Sequence, residues 1–142
     1  MEIWNKIAGF NGRYEISNYG RVRSNDMVVN GRKANCHKIN GRILKPYNDK
    51  DGYKCVILCV NQKRTNCRVH RLVAMSFISN PDGLPEIDHI NGEKTDNRVE
   101  NLRWATRVSN SNNPITRQRN SLAKKGILNP KYHNENKGTE TI

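Results

Sequence analysis

An acid, an imidazole and two amides stand close together in EIDHINGEKTDNRVENLRWATRVSN, residues 86–110. Asp88 and His89 are adjacent, Asn101 follows His89 by 12 residues, and Asn110 comes 9 residues later. Together these groups have the chemistry to hydrolyse a phosphodiester. That reaction needs an attacking water, a base to take its proton, and positive charge at the leaving oxygen, which a metal can supply. His89 suits the base, because an imidazole titrates near neutrality. Asp88 and Asn110 offer a carboxylate and a neutral amide oxygen. These are hard donors that suit Mg2+ or Mn2+ better than zinc, with waters and a phosphate oxygen completing an octahedron. Asn101 can hydrogen-bond the ring of His89 and fix its productive tautomer.

Singly, each residue has an ordinary explanation. Asp88 reads as a turn or surface acid, His89 as a half-buried structural histidine, and Asn101 and Asn110 as caps or turn residues. The joint spacing carries the catalytic reading, and so does the order of elements that must hold it. Residues 85–90 are extended and Asn91-Gly92 marks a tight turn. A polar loop runs to Asn97, and residues 102–104 form a short strand. Thr106 caps a helix through Asn112. The order is strand, loop, strand, helix. On a regular strand Asp88 and His89 point to opposite sides, so a twist or the covering helix must bring them to one site.

Upstream, residues 1–69 read as β-structure and turns forming one small, twisted antiparallel sheet. The expected strands lie at 14–17, 21–23, 43–45, 53–60 and 66–69, with a polar loop over 25–40 and a turn over 61–65. At His70 the period changes. Val69, Leu72, Val73, Ser76 and Phe77 fall at helical spacing, and Asn80-Pro81-Asp82-Gly83 ends that helix. His70 itself is expected to make a structural hydrogen bond. Downstream, Pro114 suits the first turn of a basic helix through Lys125, with Asn112 or Asn113 as its cap. A polar tail follows. The fold class is therefore α+β.

The net charge is +12 and is unevenly spread. Residues 21–71 hold 13 Lys and Arg against 3 acids, residues 82–100 hold 6 acids against 2 bases, and residues 111–131 hold 5 bases and no acid. A basic surface attracts polyphosphate, and the acidic island between can hold a cation. In the first basic segment the candidate phosphate contacts are Arg21, Arg23, Lys45, Lys54, Arg68 and Arg71. Near the acid–imidazole pair they are Arg103 and Arg107, and beyond it Arg117, Arg119, Lys124 and Lys125. The mean hydropathy of −0.88 is low, as in chains that gain order from a partner. The four cysteines, Cys36, Cys55, Cys59 and Cys67, form no paired zinc-ligand spacing, so no zinc is expected. With no apolar run of spanning length and no signal-like start, a cytoplasmic monomer is expected, without a membrane or an obligatory protein partner.

DHINGEKTDNRVENLRWAT strongly resembles the HNH nucleases encoded by phages and group I introns, with Asn in place of the last His. VHRLVAMSFISNP, residues 69–81, resembles the helix that precedes the motif in that family. WNKIAGFNGRYEISNYGRVRS, residues 4–24, resembles the small module known as NUMOD4 that is often fused to it. The resemblance implies a ββα-metal nuclease acting on double-stranded DNA. His89 would be its general base, Asp88 and Asn110 would hold one divalent ion, and Asn101 would orient His89. Nicking of one strand is implied, with the N-terminal sheet lying against the DNA. The implied organisation is a NUMOD4-like module over 1–68, a nuclease core over 69–113, and a basic helix and tail over 114–142. After Asn113 the chain departs from the longer intron enzymes. A DNA-binding protein that keeps the fold without activity is the alternative. The intact set of four residues speaks against it.

Overall fold

The computed structural model describes residues 1–30 and 36–124. It is an α+β fold of small antiparallel sheets and three helices. Strands β1 (Trp4–Lys6), β2 (Tyr14–Ser17) and β3 (Val22–Ser24) make the first sheet in that order. β4 (Met27–Asn30) and β5 (Cys36–Ile39) pair as a separate two-stranded ribbon, where the sequence led us to expect a loop. Its polarity misled: β5 is exposed throughout, and only Met27 and Val29 on β4 are half-buried.

The third sheet is β6 (Tyr47–Asn48), β7 (Lys54–Val60) and β8 (Lys63–Arg68). The single expected sheet is therefore three. The turn between β7 and β8 is also tighter than the five residues expected. Val60 pairs with Lys63, and Asn61 and Gln62 take φ of 49° and 63°. Two consecutive left-handed residues match the twist of the strands they join, so β8 begins at Lys63. The expected strand at 43–45 reduces to one bridge between Ile43 and Arg23.

α1 (Val69–Phe77) turns Val69, Leu72, Val73 and Ala74 inward, as its spacing requires. Its C-terminal loop closes through Asn80, whose amide bonds both the carbonyl and the N–H of Leu84 at 3.0 and 2.8 Å. The chain then enters β9 (Glu86–His89). β9 pairs antiparallel with β10 (Leu102–Ala105), placing Leu102 opposite His89 and Arg103 opposite Asp88. A 3₁₀ turn over Val99–Asn101 leads into β10. The Thr106 hydroxyl accepts from Ser109 N at 3.0 Å and starts α2 (Arg107–Ser111) as expected. α3 (Pro114–Lys124) follows. Lys125 and the expected polar tail lie outside the described residues.

One core unites the first and third sheets with the strand–loop–strand unit. Ile16 and Val22 from the first sheet, Val56 and Leu58 from β7, Val69 and Val73 from α1, and Ile87 and Leu102 beside the catalytic candidates all belong to it. Trp104 is half-buried against this core and donates to Ile78 O at 3.0 Å. Among the described residues no helix is long and apolar enough to cross a membrane.

Candidate active site

β9 delivers Asp88 and His89 to one cleft of about 450 Å3, which Asn110, Lys94, Tyr53 and Arg119 also line. The two residues share this cleft although they alternate along the strand, because α2 and α3 close over its end.

Asp88 is 2% exposed. A carboxylate so buried requires partners that neutralise or solvate it. Arg103, its cross-strand neighbour, places Nη2 and Nε 2.6 and 2.9 Å from Oδ2. The amide of Asn113 donates to Oδ1 at 2.9 Å and to Oδ2 at 3.1 Å.

His89 is also buried, and Nε2 lies 3.0 Å from Asn97 Oδ1. An amide oxygen can only accept, so Nε2 carries the proton and Nδ1 is the basic nitrogen. Burial pushes the His89 pKa below the ordinary histidine value, opposed by the Asn97 hydrogen bond and the charge of Asp88. The ring is therefore neutral at neutral pH.

The hydrogen bond expected from Asn101 to His89 is made by Asn97 instead. Asn101 Oδ1 accepts from Asn91 N at 3.0 Å, and its Nδ2 donates to Asn91 Oδ1 at 2.9 Å and to Asp96 O at 2.8 Å. The register explains this. Leu102 is the residue opposite His89, so Asn101 lies past the end of the ladder and turns into the loop it closes. That loop carries Asn97 back onto the ring. Gly20 makes room for it: at φ +80°, a Cβ there would stand 2.8 Å from Asn97 Cβ.

Asn110, on α2, donates from Nδ2 to Glu86 Oε2 at 2.8 Å. A carboxylate accepts only, so this bond fixes which end of the amide faces Glu86 and leaves the oxygen as the end available to a cation. Asp88 and Asn110 thus offer one carboxylate and one amide oxygen on a shared cleft. This donor set fits a hard divalent ion that keeps several waters.

His70 does not make the structural hydrogen bond expected of it. It is 5% exposed, its Nδ1 has no partner among the described residues, and its ring packs 5.0 Å from Tyr53 and 5.1 Å from His89. Burial and the neighbouring His89 push its pKa down to about 3.

Of the basic candidates, several are ion-paired. Arg21 pairs with Glu2, and Arg23 with Glu15 at 2.6 Å, while both guanidinium groups lie over Trp4. Arg68 pairs with Asp49 at 2.8 Å and covers Tyr53. Arg119 binds Gly92 O at 2.7 Å and Glu93 at 2.8 Å. Arg71 reaches the Pro85 carbonyl at 3.4 Å. Lys45, Arg107, Arg117 and Lys124 are exposed, and Lys54 is half-buried.

Sequence reasoning missed Asn97, Glu86 and the contact of Asn113 with Asp88. Glu86 carried a signal: it lies two residues before Asp88, on the same side of an extended strand. Asn113 was legible only as a helix cap.

Asp88, His89 and Asn110 all lie within a segment that matches a known family, the HNH endonucleases. That family matches residues 67–112, and a NUMOD4 motif matches residues 2–59. The chain belongs to the HNH endonuclease family, as a member with a NUMOD4 motif ahead of the nuclease region. DNA endonuclease I-HmuI of Bacillus phage SP01 is 34% identical over 114 residues, 80% of this chain and 58% of that protein. The uncharacterized HNH endonuclease L245 of Acanthamoeba polyphaga mimivirus is 34% identical over 124 residues, 87% of this chain and 33% of that protein. A solved structure describing DNA binding and cleavage by the HNH homing endonuclease I-HmuI matches with a TM-score of 0.59 at 32% identity, covering 89% of this chain and 61% of that one. The chain thus spans less than two thirds of each of these proteins.

Proposed function

We propose that this protein is a divalent-metal-dependent DNA endonuclease that nicks one strand of a duplex. The observation that carries the reading is the shared cleft of Asp88, His89 and Asn110, with the His89 tautomer set by Asn97. Its kinship with an enzyme whose solved structure concerns DNA binding and cleavage supplies the substrate class.

Asp88 and Asn110 would hold a single Mg2+ or Mn2+. Bound there, the ion supplies positive charge at the scissile phosphate and the departing oxygen. His89 Nδ1 takes the proton of the attacking water, while its Nε2–H stays on Asn97. The neutral, buried imidazole is ready to accept that proton. Asn101 acts at one remove, by closing the loop that presents Asn97. The described residues hold one such site, which suits the cutting of one strand per binding event.

The exposed cations Lys45, Arg107, Arg117 and Lys124 serve as phosphate contacts, together with Lys54, Arg71 and Lys125. The ion-paired Arg21, Arg23, Arg68 and Arg119 contact phosphate by exchanging or sharing their acids, and Arg103 does so from its exposed side while it stays on Asp88. The NUMOD4 region and the nuclease core act as one DNA-binding unit of a monomer in the host-cell cytoplasm.

The test is supercoiled DNA of the source replicon incubated with the protein in Mg2+, in Mn2+ and in EDTA, beside His89→Ala. Open circles should form only with metal, and His89→Ala should lower the rate by about 10²–10⁴-fold with DNA affinity retained. Cleavage indifferent to EDTA or to His89→Ala would reject the mechanism.

A further inference from the structure

Asn113 is the one group on Asp88 that the reading above does not use. It is 3% exposed and lies between α2 and α3. Its Nδ2 approaches Asp88 Oδ1 at 2.9 Å, Asp88 Oδ2 at 3.1 Å and His89 O at 3.3 Å. Its Oδ1 accepts from Ile115 N at 3.0 Å, and its backbone oxygen accepts from Arg117 N at 2.9 Å, which begins α3. The two ends of the amide cannot exchange, because a flipped oxygen would face the carboxylate.

Arg103 reaches Asp88 only at Oδ2 and is itself half exposed. Oδ1 is held by Asn113. Two donors on two oxygens fix the plane of a carboxylate, and one does not. α3 in turn is fastened to the loop after His89. Arg119 donates to Gly92 O at 2.7 Å, and Ile115 Cγ2 comes within 2.8 Å of the place a Gly92 Cβ would take.

We propose that Asn113 is a positioning residue for Asp88. With its oxygen it caps α3, and with its NH2 it sets the Asp88 carboxylate, so the docking of α3 determines the geometry of the metal-binding group. The proposal rests on Asp88 being a metal ligand.

Ser caps a helix about as well as Asn, but its hydroxyl is too short to reach Asp88. The experiment measures binding of Mn2+ alone to the full chain, by calorimetry and by electron paramagnetic resonance, alongside helix content by circular dichroism. The chains are wild type, Asp88→Ala, Asn113→Ser and Asn113→Ala. Asn113→Ser should keep the wild-type helix content and bind Mn2+ about 10–100-fold more weakly, the usual cost of losing a group that orients a ligand. A residue that only caps α3 would be rescued by Ser, so weakening of less than about threefold, short of that usual cost, overturns the proposal. A variant-free measurement is the Asn113 side-chain NH2 resonance of the wild-type chain. It should move when Mg2+ is added, and a peak unmoved at saturating Mg2+ also overturns the proposal. If wild type binds Mn2+ no better than Asp88→Ala, the ligand role of Asp88 fails and the proposal falls with it.

Discussion

His70→Phe should remove an acid sensitivity from this protein. The ring is 5% exposed, sits against Tyr53 and His89, and leaves Nδ1 without a partner among the described residues. Burial first, then His89, Arg68 and Arg71, push its pKa from 6.5 to about 3. The folded chain thus keeps His70 neutral where the unfolded chain protonates it. The folded value is the lower one, so its stability is full above 6.5 and is lost as pH falls from there towards 3. At about pH 5 the unfolded histidine is protonated by about 30 to one, a loss of about 2 kcal/mol, against about 0.2 kcal/mol at about pH 7. Phe keeps a ring of similar shape in the Tyr53–His89 contact and cannot titrate. Urea unfolding at the two pH values should therefore show wild type losing about 2 kcal/mol more than His70→Phe. Every other titrating group, His89 included, is present in both chains. Equal losses in the two chains would refute the claim that His70 is held neutral by burial.

The remaining predictions concern the base and its support. His89 accepts a proton only when neutral, and burial lowers its pKa from 6.5, so the acid limb of cleavage should have its midpoint below 6.5. A midpoint above that value in a pH–rate profile would contradict the burial argument. Gly20→Ala should cost about 1–3 kcal/mol of stability for a side chain in the left-handed region. It should also slow cleavage by crowding Asn97, whose Cβ lies 2.8 Å from the added atom. Unchanged urea stability would show that the Gly20–Asn97 approach is looser than described.

Much of the site was legible because it is local. The turn at Asn91-Gly92, the Thr106 cap and the helical period of α1 are dictated by neighbours in sequence. They fix the order strand, loop, strand, helix that carries Asp88, His89 and Asn110. What failed was the choice among amides. Five asparagines lie between residues 97 and 113, and spacing singled out Asn101 without saying which of them the fold turns onto the His89 ring. The β9–β10 register turned Asn101 into the loop and brought Asn97 to His89. The 25–40 segment was misread because its ribbon buries almost nothing, which leaves no alternation of apolar and polar residues to recognise.

The sequence by itself thus determined the element order, the α+β class and the residue types able to do phosphodiester chemistry. These depend on contacts within a few residues. Only the tertiary structure decided that Asp88 meets Arg103 and Asn113, that the His70 ring packs against His89, and that Glu86 turns the amide of Asn110. Each of those contacts joins residues brought together by strand register or helix docking. Both are set by the shared core around Ile16, Val73, Ile87 and Leu102 rather than by local pattern.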